Sequence, residues 1–125
     1  MLIDIDLIIW YMRGNIKASR IINKQNGFSV SVVTYIELVQ GMRNKYELTE
    51  LRKAFKDWGV KILYINEEVS AKAMFYIENF YLSHSLTLAD ALISATAIVN
   101  SLSLLTGNDK HFKQITELKI IKFKP

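Results

Sequence analysis

Five short apolar runs, at positions 2–5, 28–32, 61–65, 102–106 and 119–123, are separated by stretches whose apolar residues recur every three or four positions. This alternation predicts helices over 6–13, 15–25, 34–42, 47–58, 67–82 and 88–100, with a helical turn over 109–114. The punctuation agrees. Asp6 and Asn66 stand where helix N-caps belong, Asn26-Gly27 and Gly59 where helices stop, and the only proline is Pro125. Strands that alternate with helices pair in parallel, because each crossover returns the chain to the same end of the sheet. The expected fold class is therefore α/β, a parallel sheet covered by helices on both faces, with 119–123 as an edge strand protected by its lysines. In such sheets the functional crevice lies at the carboxyl ends of the strands.

A chain of 125 residues has room for one core, so 1–125 reads as a single domain. Half of its residues are hydrophobic, enough apolar surface to offset the entropy of ordering. The absence of cysteine removes disulfide frameworks, thiolate zinc sites and cysteine nucleophiles together. Asp4 and Asp6 precede the first basic residue, Arg13, the reverse of a secretory leader, and no apolar stretch approaches the roughly 20 residues of a membrane span. A soluble, cytoplasmic protein is expected. The net charge of +4 favours polyanionic partners without selecting one.

Acidic and amide residues stand where this architecture brings distant segments together. Asp4 ends the first strand, Glu37 follows the second, Asp90 opens a late helix, and Asn108-Asp109 follow the fourth strand. Asp4 lies inside an apolar run, where an unpartnered carboxylate costs several kcal/mol, roughly, so something should compensate it. A hard divalent cation such as Mg²⁺ or Mn²⁺ would do so, since it takes carboxylate oxygens and keeps several waters for substrate phosphate to replace. Structural readings compete residue by residue. Thr34 with Glu37, and Thr87 with Asp90, both match the capping box; Asp4 could pair with a lysine; Asn108-Asp109 after Gly107 is ordinary turn chemistry. Capping accounts for each acid alone but not for all of them following strand ends in one small domain.

Four segments in order carry a resemblance to a known family. Leu2-Ile3-Asp4-Ile5-Asp6, Ser31 to Leu38 with Gly41 following, Leu86 to Ala97 around Thr87-Leu88-Ala89-Asp90, and Leu105-Thr106-Gly107-Asn108-Asp109-Lys110-His111-Phe112 are similar to the motifs of PIN domains, especially VapC-type toxins. The resemblance spans the whole chain and implies a three-layer α/β/α sandwich with a central parallel sheet. It further implies one or two Mg²⁺ or Mn²⁺ ions and hydrolysis of an RNA phosphodiester. Asp4, Glu37 and Asp90 match the metal-binding acids. The last motif departs in part, holding Asn108 where the wider superfamily often has Asp, and whether Asn108 or Asp109 approaches the metal stays open.

On that reading Asp4, Glu37, Asp90 and Asn108 form the catalytic set. Thr106 would orient Asp4 by a hydrogen bond, Asp6 would cap the first helix or hold an outer water, and Asp109 would lie just behind. Arg13, Lys17, Arg43 and Lys45 are candidates for an RNA track, although a solvated helix face explains any one of them. His84 reads as a loop residue and His111-Phe112 as a turn packing against the sheet, rather than as paired acid–base imidazoles. Phe75, Tyr76, Phe80 and Tyr81 suit a core or a dimer seam better than base stacking. The resemblance implies a separately encoded antitoxin that occupies the acidic groove, and a homodimer. Alternatives are a housekeeping RNA-processing or DNA-acting PIN nuclease, and a non-catalytic PIN-like scaffold that binds RNA.

Overall fold

Successive residues of a strand face opposite sides of the sheet, and here each side has its own core. In the computed structural model, which describes residues 1–125, Leu2 belongs to one apolar cluster and Ile3 to another, and both are completely buried. Leu104 and Leu105 divide in the same way. The sheet is therefore the middle of three layers, an α/β/α sandwich. Each buried Leu or Ile contributes about 1.5–3 kcal/mol, which holds even very short strands in the centre.

The elements run β1 (Leu2–Ile3), α1 (Ile5–Met12), α2 (Ile16–Lys24), β2 (Ser29–Ser31), α3 (Val32–Gln40), α4 (Lys45–Trp58), β3 (Lys61–Leu63), α5 (Glu67–His84), α6 (Leu88–Val99), β4 (Leu104–Thr106) and β5 (Ile120–Lys122). A 3₁₀ turn over Asp109–His111 lies between the last two strands. The strand order is β3-β2-β1-β4-β5, with every pairing parallel. Leu2 lies opposite both Ser29 and Leu104, so β1 is the central strand and its carboxyl end meets those of β2 and β4. Val69, Ala73 and Tyr76 of α5 and Ala91, Ile93, Ala95 and Ala97 of α6 build one core. Leu7 and Ile8 of α1, Ala18 and Ile22 of α2, and Leu51 and Phe55 of α4 build the other. No helix is long and apolar enough to cross a membrane.

Three helix starts differ from the sequence expectation; α4 begins at Lys45 rather than 47, because Asn44 caps it. The N-cap of α1 is Asp4 rather than Asp6: β1 is two residues long, so the chain turns at once and Asp4 Oδ1 accepts from the Ile5 amide at 2.9 Å. Likewise α3 starts at Val32, capped by Ser31 Oγ accepting from the Val33 amide at 3.1 Å. Thr34 therefore sits inside the first turn, and the expected Thr34–Glu37 capping box does not form. Its Oγ1 is buried without a hydrogen-bond partner. Elsewhere Asn15, Asn44, Asn66 and Thr87 cap α2, α4, α5 and α6 through their side chains. Gly59 closes α4 at φ 66°, a left-handed conformation that favours glycine.

Candidate active site

Because β1 and β4 are neighbours, residues a hundred positions apart meet at their carboxyl ends. Thr106 Oγ1 donates to Asp4 Oδ2 at 2.8 Å, and the same hydroxyl accepts from the Asn108 amide at 3.0 Å. Asp6, in the first turn of α1, reaches across the same junction, and its Oδ2 accepts from the Gly107 amide at 2.7 Å. A Cβ at position 107 would lie 2.5 Å from that oxygen, so only glycine permits the contact. Asp4 and Asp6 thus fix the path of the chain leaving β4. Sequence reading missed Gly107 because its role depends on a pairing across the whole chain.

The electrostatics of this junction are unusual for a surface of net positive charge. Asp4 is buried, at 5% exposure, and no basic side chain forms an ion pair with it. Burial is the main reason its carboxyl is pushed up to about 6; the Thr106 and Ile5 hydrogen bonds oppose the rise, and the charges of Asp6 and Asp90 add to it. Asp6 is also raised, again chiefly by burial, against the lowering effect of its bonds to Gly107 and Leu7. Asp90 follows the Thr87 cap of α6, its amide donating to Thr87 Oγ1 at 3.1 Å, and its Oδ2 lies 3.7 Å from His111 Nδ1.

Glu37 is exposed on α3 and lines a shallow depression with Ile36, Leu88 and Ala89, the last two preceding Asp90 on α6. It is not among the groups whose charge acts on Asp4. No three acidic or imidazole side chains stand in a group that could hold an ion as they lie. Mutual repulsion, roughly 4 kcal/mol per pair at about 4 Å and an effective dielectric near 20, works against the convergence of bare carboxylates. The donor set nonetheless fits a hard cation. Asp4 is a buried, uncompensated oxygen ligand with Asp90 in electrostatic reach, and Mg²⁺ is commonly held by one or two carboxylates plus phosphate.

The remaining candidates separate clearly. Asp109 lies 3.7 Å from Lys113 Nζ and 3.6 Å from Lys122 Nζ, so its carboxylate is engaged away from Asp4, whereas Asn108 is exposed and its side chain makes no hydrogen bond. The Arg43 guanidinium is held by Glu47 at 2.7 Å, and the Arg13 guanidinium lies 5.7 Å from the Trp10 ring centroid. These two arginines line one groove of about 800 Å³ with Met12, Met42 and Tyr46; Lys17 and Lys45 are exposed outside it. Phe112 is buried in the core, whereas the adjacent His111 is exposed beside Asp90, a placement that the sequence gives no sign of.

Comparison with known proteins meets this geometry. Ribonuclease VapC10 of Mycobacterium tuberculosis is 31% identical over 125 residues, covering 95% of this chain and 90% of the relative. Ribonuclease VapC1 of Methanocaldococcus jannaschii is 26% identical over 118 residues, covering 94% and 82%. Among solved structures, a toxin–antitoxin complex from Klebsiella pneumoniae superposes with a TM-score of 0.81 at 23% identity, covering 97% of this chain and 95% of that one. VapBC-1 from nontypeable Haemophilus influenzae gives 0.79 at 24%, covering 97% and 96%. These last two likenesses are of fold. The model of the PIN domain matches residues 1–118, so with its parallel sheet and the acidic junction of β1 and β4 this chain belongs to the PIN domain family.

Proposed function

We propose that this protein is a metal-dependent endoribonuclease that hydrolyses RNA phosphodiester bonds and acts as the toxin of a toxin–antitoxin pair. The observation that carries the chemistry is Asp4, a buried carboxylate without a basic partner at the carboxyl end of the central strand. The relatives at 31% and 26% identity are named ribonucleases, which supports the reaction class. Asp4 and Asp90 would hold Mg²⁺ or Mn²⁺, with Glu37 completing the acidic side. When bound, the ion supplies charge neutralisation at the phosphate and a more acidic attacking water.

The chain's own groups position the reaction. Thr106 Oγ1 keeps its proton on Asp4 Oδ2, leaving the other lone pairs of that carboxylate for a ligand. Asp6, by holding Gly107, sets the start of the segment from which the unengaged side-chain carboxamide of Asn108 can donate to a phosphate oxygen. Asn108 is therefore preferred to Asp109 as the fourth catalytic residue. Hydrolysis forms a bond from water oxygen to phosphorus and breaks the bond from phosphorus to the 3′ oxygen, which takes up a proton. The products carry 5′-phosphate and 3′-hydroxyl ends. Lys17 and Lys45, exposed and without ion pairs, are better candidates for backbone contacts than Arg43, which Glu47 occupies.

The proposed partner is a cognate antitoxin, in keeping with the toxin–antitoxin assemblies among the structural neighbours. Exposed Met74, Phe75, Tyr81 and Leu82 on α5 support a homodimer. The absence of a ready-made group of three ligands favours one second reading, a PIN-like scaffold that binds RNA without cutting it. End-mapped cleavage of total cellular RNA by the purified protein, with Mg²⁺ or Mn²⁺ added, decides between them. Metal-dependent 5′-phosphate ends that vanish in Asp4→Asn and Asp90→Asn support the nuclease, whereas cleavage that survives either substitution refutes this site.

A further inference from the structure

Beside Asp90, on the side facing the turn after β4, lies a pocket of about 260 Å³ lined by His84, Ser85, Leu86, Thr87, Asp90, Lys110 and His111. Two segments far apart in sequence build it, the α5–α6 connection and the 3₁₀ turn. We propose that this pocket is a phosphate subsite, holding the phosphodiester of the RNA strand next to the one that is cut. The inference rests on the nuclease reading for its substrate and adds a binding site to it.

The lining fits an anion better than a base. Leu86 is its only hydrophobic member and no Phe, Tyr or Trp lines it, so a nucleobase would find no large apolar ring to stack on. Donors dominate: the Lys110 ammonium, the two imidazoles, and the Ser85 and Thr87 hydroxyls. The single carboxylate, Asp90, is already faced by His111 at 3.7 Å. Lys110 differs from the other lysines of its neighbourhood. Lys113 and Lys122 are both drawn to Asp109, and Lys72 to Glu117, whereas Lys110 is exposed and makes no ion pair. On the opposite wall, α5 ends at His84 because Ser85 adopts φ 54°, a left-handed conformation that costs a non-glycine residue roughly 1 kcal/mol. His84 Nδ1 is 2.6 Å from Ser83 Oγ, which leaves Nε2 for another partner. Asp90 belongs both to this pocket and to the charges acting on Asp4, so a strand crossing the acidic junction would bring a neighbouring phosphate here.

The test is the affinity of a labelled single-stranded RNA oligonucleotide, measured in EDTA by fluorescence anisotropy over a range of salt. Losing one phosphate contact on a single strand flattens the slope of log K against log salt by about 0.7, equivalent to about fourfold weaker binding near physiological salt. Lys110→Gln should show both changes, His84→Ala a weakening of about twofold to threefold, and Lys110→Arg neither. Lys56→Gln, at the pocket between Gly27 and Gly59, should leave the slope unchanged. Thermal unfolding of each variant separates a lost contact from a lost fold. A Lys110→Gln protein that is stable and keeps the full slope overturns the subsite while leaving the nuclease reading intact. Affinity that depends on Lys110 in a chain that cuts no RNA retains the subsite and overturns the nuclease. Failure of the unaltered chain to bind RNA at low salt overturns both.

Discussion

Replacing Asp4 with asparagine should make the metal-free protein more stable while abolishing its proposed activity. The raised pKa sets the magnitude. A carboxyl pushed from 3.8 to about 6 binds its proton more tightly in the folded than in the unfolded chain, so folding stability falls as pH rises through that interval. The two pH units and 1.36 kcal/mol per unit give a penalty of about 3 kcal/mol, present in full at about pH 7.5 and reduced to about 1 kcal/mol near pH 4.5. Asparagine carries no charge to desolvate, can still accept from the Ile5 amide, and can donate to Thr106 Oγ1 where the carboxylate accepted. Urea denaturation in EDTA should therefore show Asp4→Asn more stable by about 1–3 kcal/mol near pH 7.5, with the gain shrinking towards pH 4.5. Mn²⁺ at about 1,000 times its Kd should reverse the order, since at that excess a ligand adds roughly 4.1 kcal/mol to the protein that binds it. A variant less stable than the parent in EDTA near neutrality, or a gain independent of pH, would refute the assignment of Asp4 as an uncompensated charge.

Three further outcomes follow from particular contacts. Thr34→Val removes a buried hydroxyl without a partner and should raise stability by about 1 kcal/mol in urea, a loss of stability counting against it. Gly107→Ala places a Cβ 2.5 Å from Asp6 Oδ2 and must break the bond that fixes the chain after β4. It should cost about 1–3 kcal/mol in stability and about tenfold or more in RNA cleavage, and a fully active variant would show that the contact does not position Asn108. Tyr76→Phe loses the hydrogen bond to Glu117 that ties α5 to the segment before β5. It should lower stability by about 1 kcal/mol and leave cleavage rates unchanged.

The alternation of strands and helices was legible because each element is punctuated locally. Asn66 and Thr87 cap helices where expected, and Gly59 ends one. Boundaries were misplaced where strand and helix abut without a loop: Asp4 alone separates β1 from α1, Ser31 both ends β2 and caps α3, and periodicity cannot locate so short a junction. Of the site, Asp4 was conspicuous as a charge in an apolar run, and Thr106 came within reach once its strand was paired with the first. The engagement of Asp109 by Lys113 and Lys122, the exposure of Glu37, and the place of His111 beside Asp90 depend on how loops cross the sheet edge. No local pattern encodes such crossings.

The bonds from Thr106 to Asp4 and from Gly107 to Asp6 span 102 and 101 residues. During synthesis the amino-terminal half of this junction is made first and the other half only about a hundred residues later, once Thr106 and Gly107 have been added. A nascent or prematurely terminated polypeptide therefore lacks the strand that shapes its acidic pocket. A cell making a harmful nuclease would be protected from its fragments by the connectivity of the sheet alone.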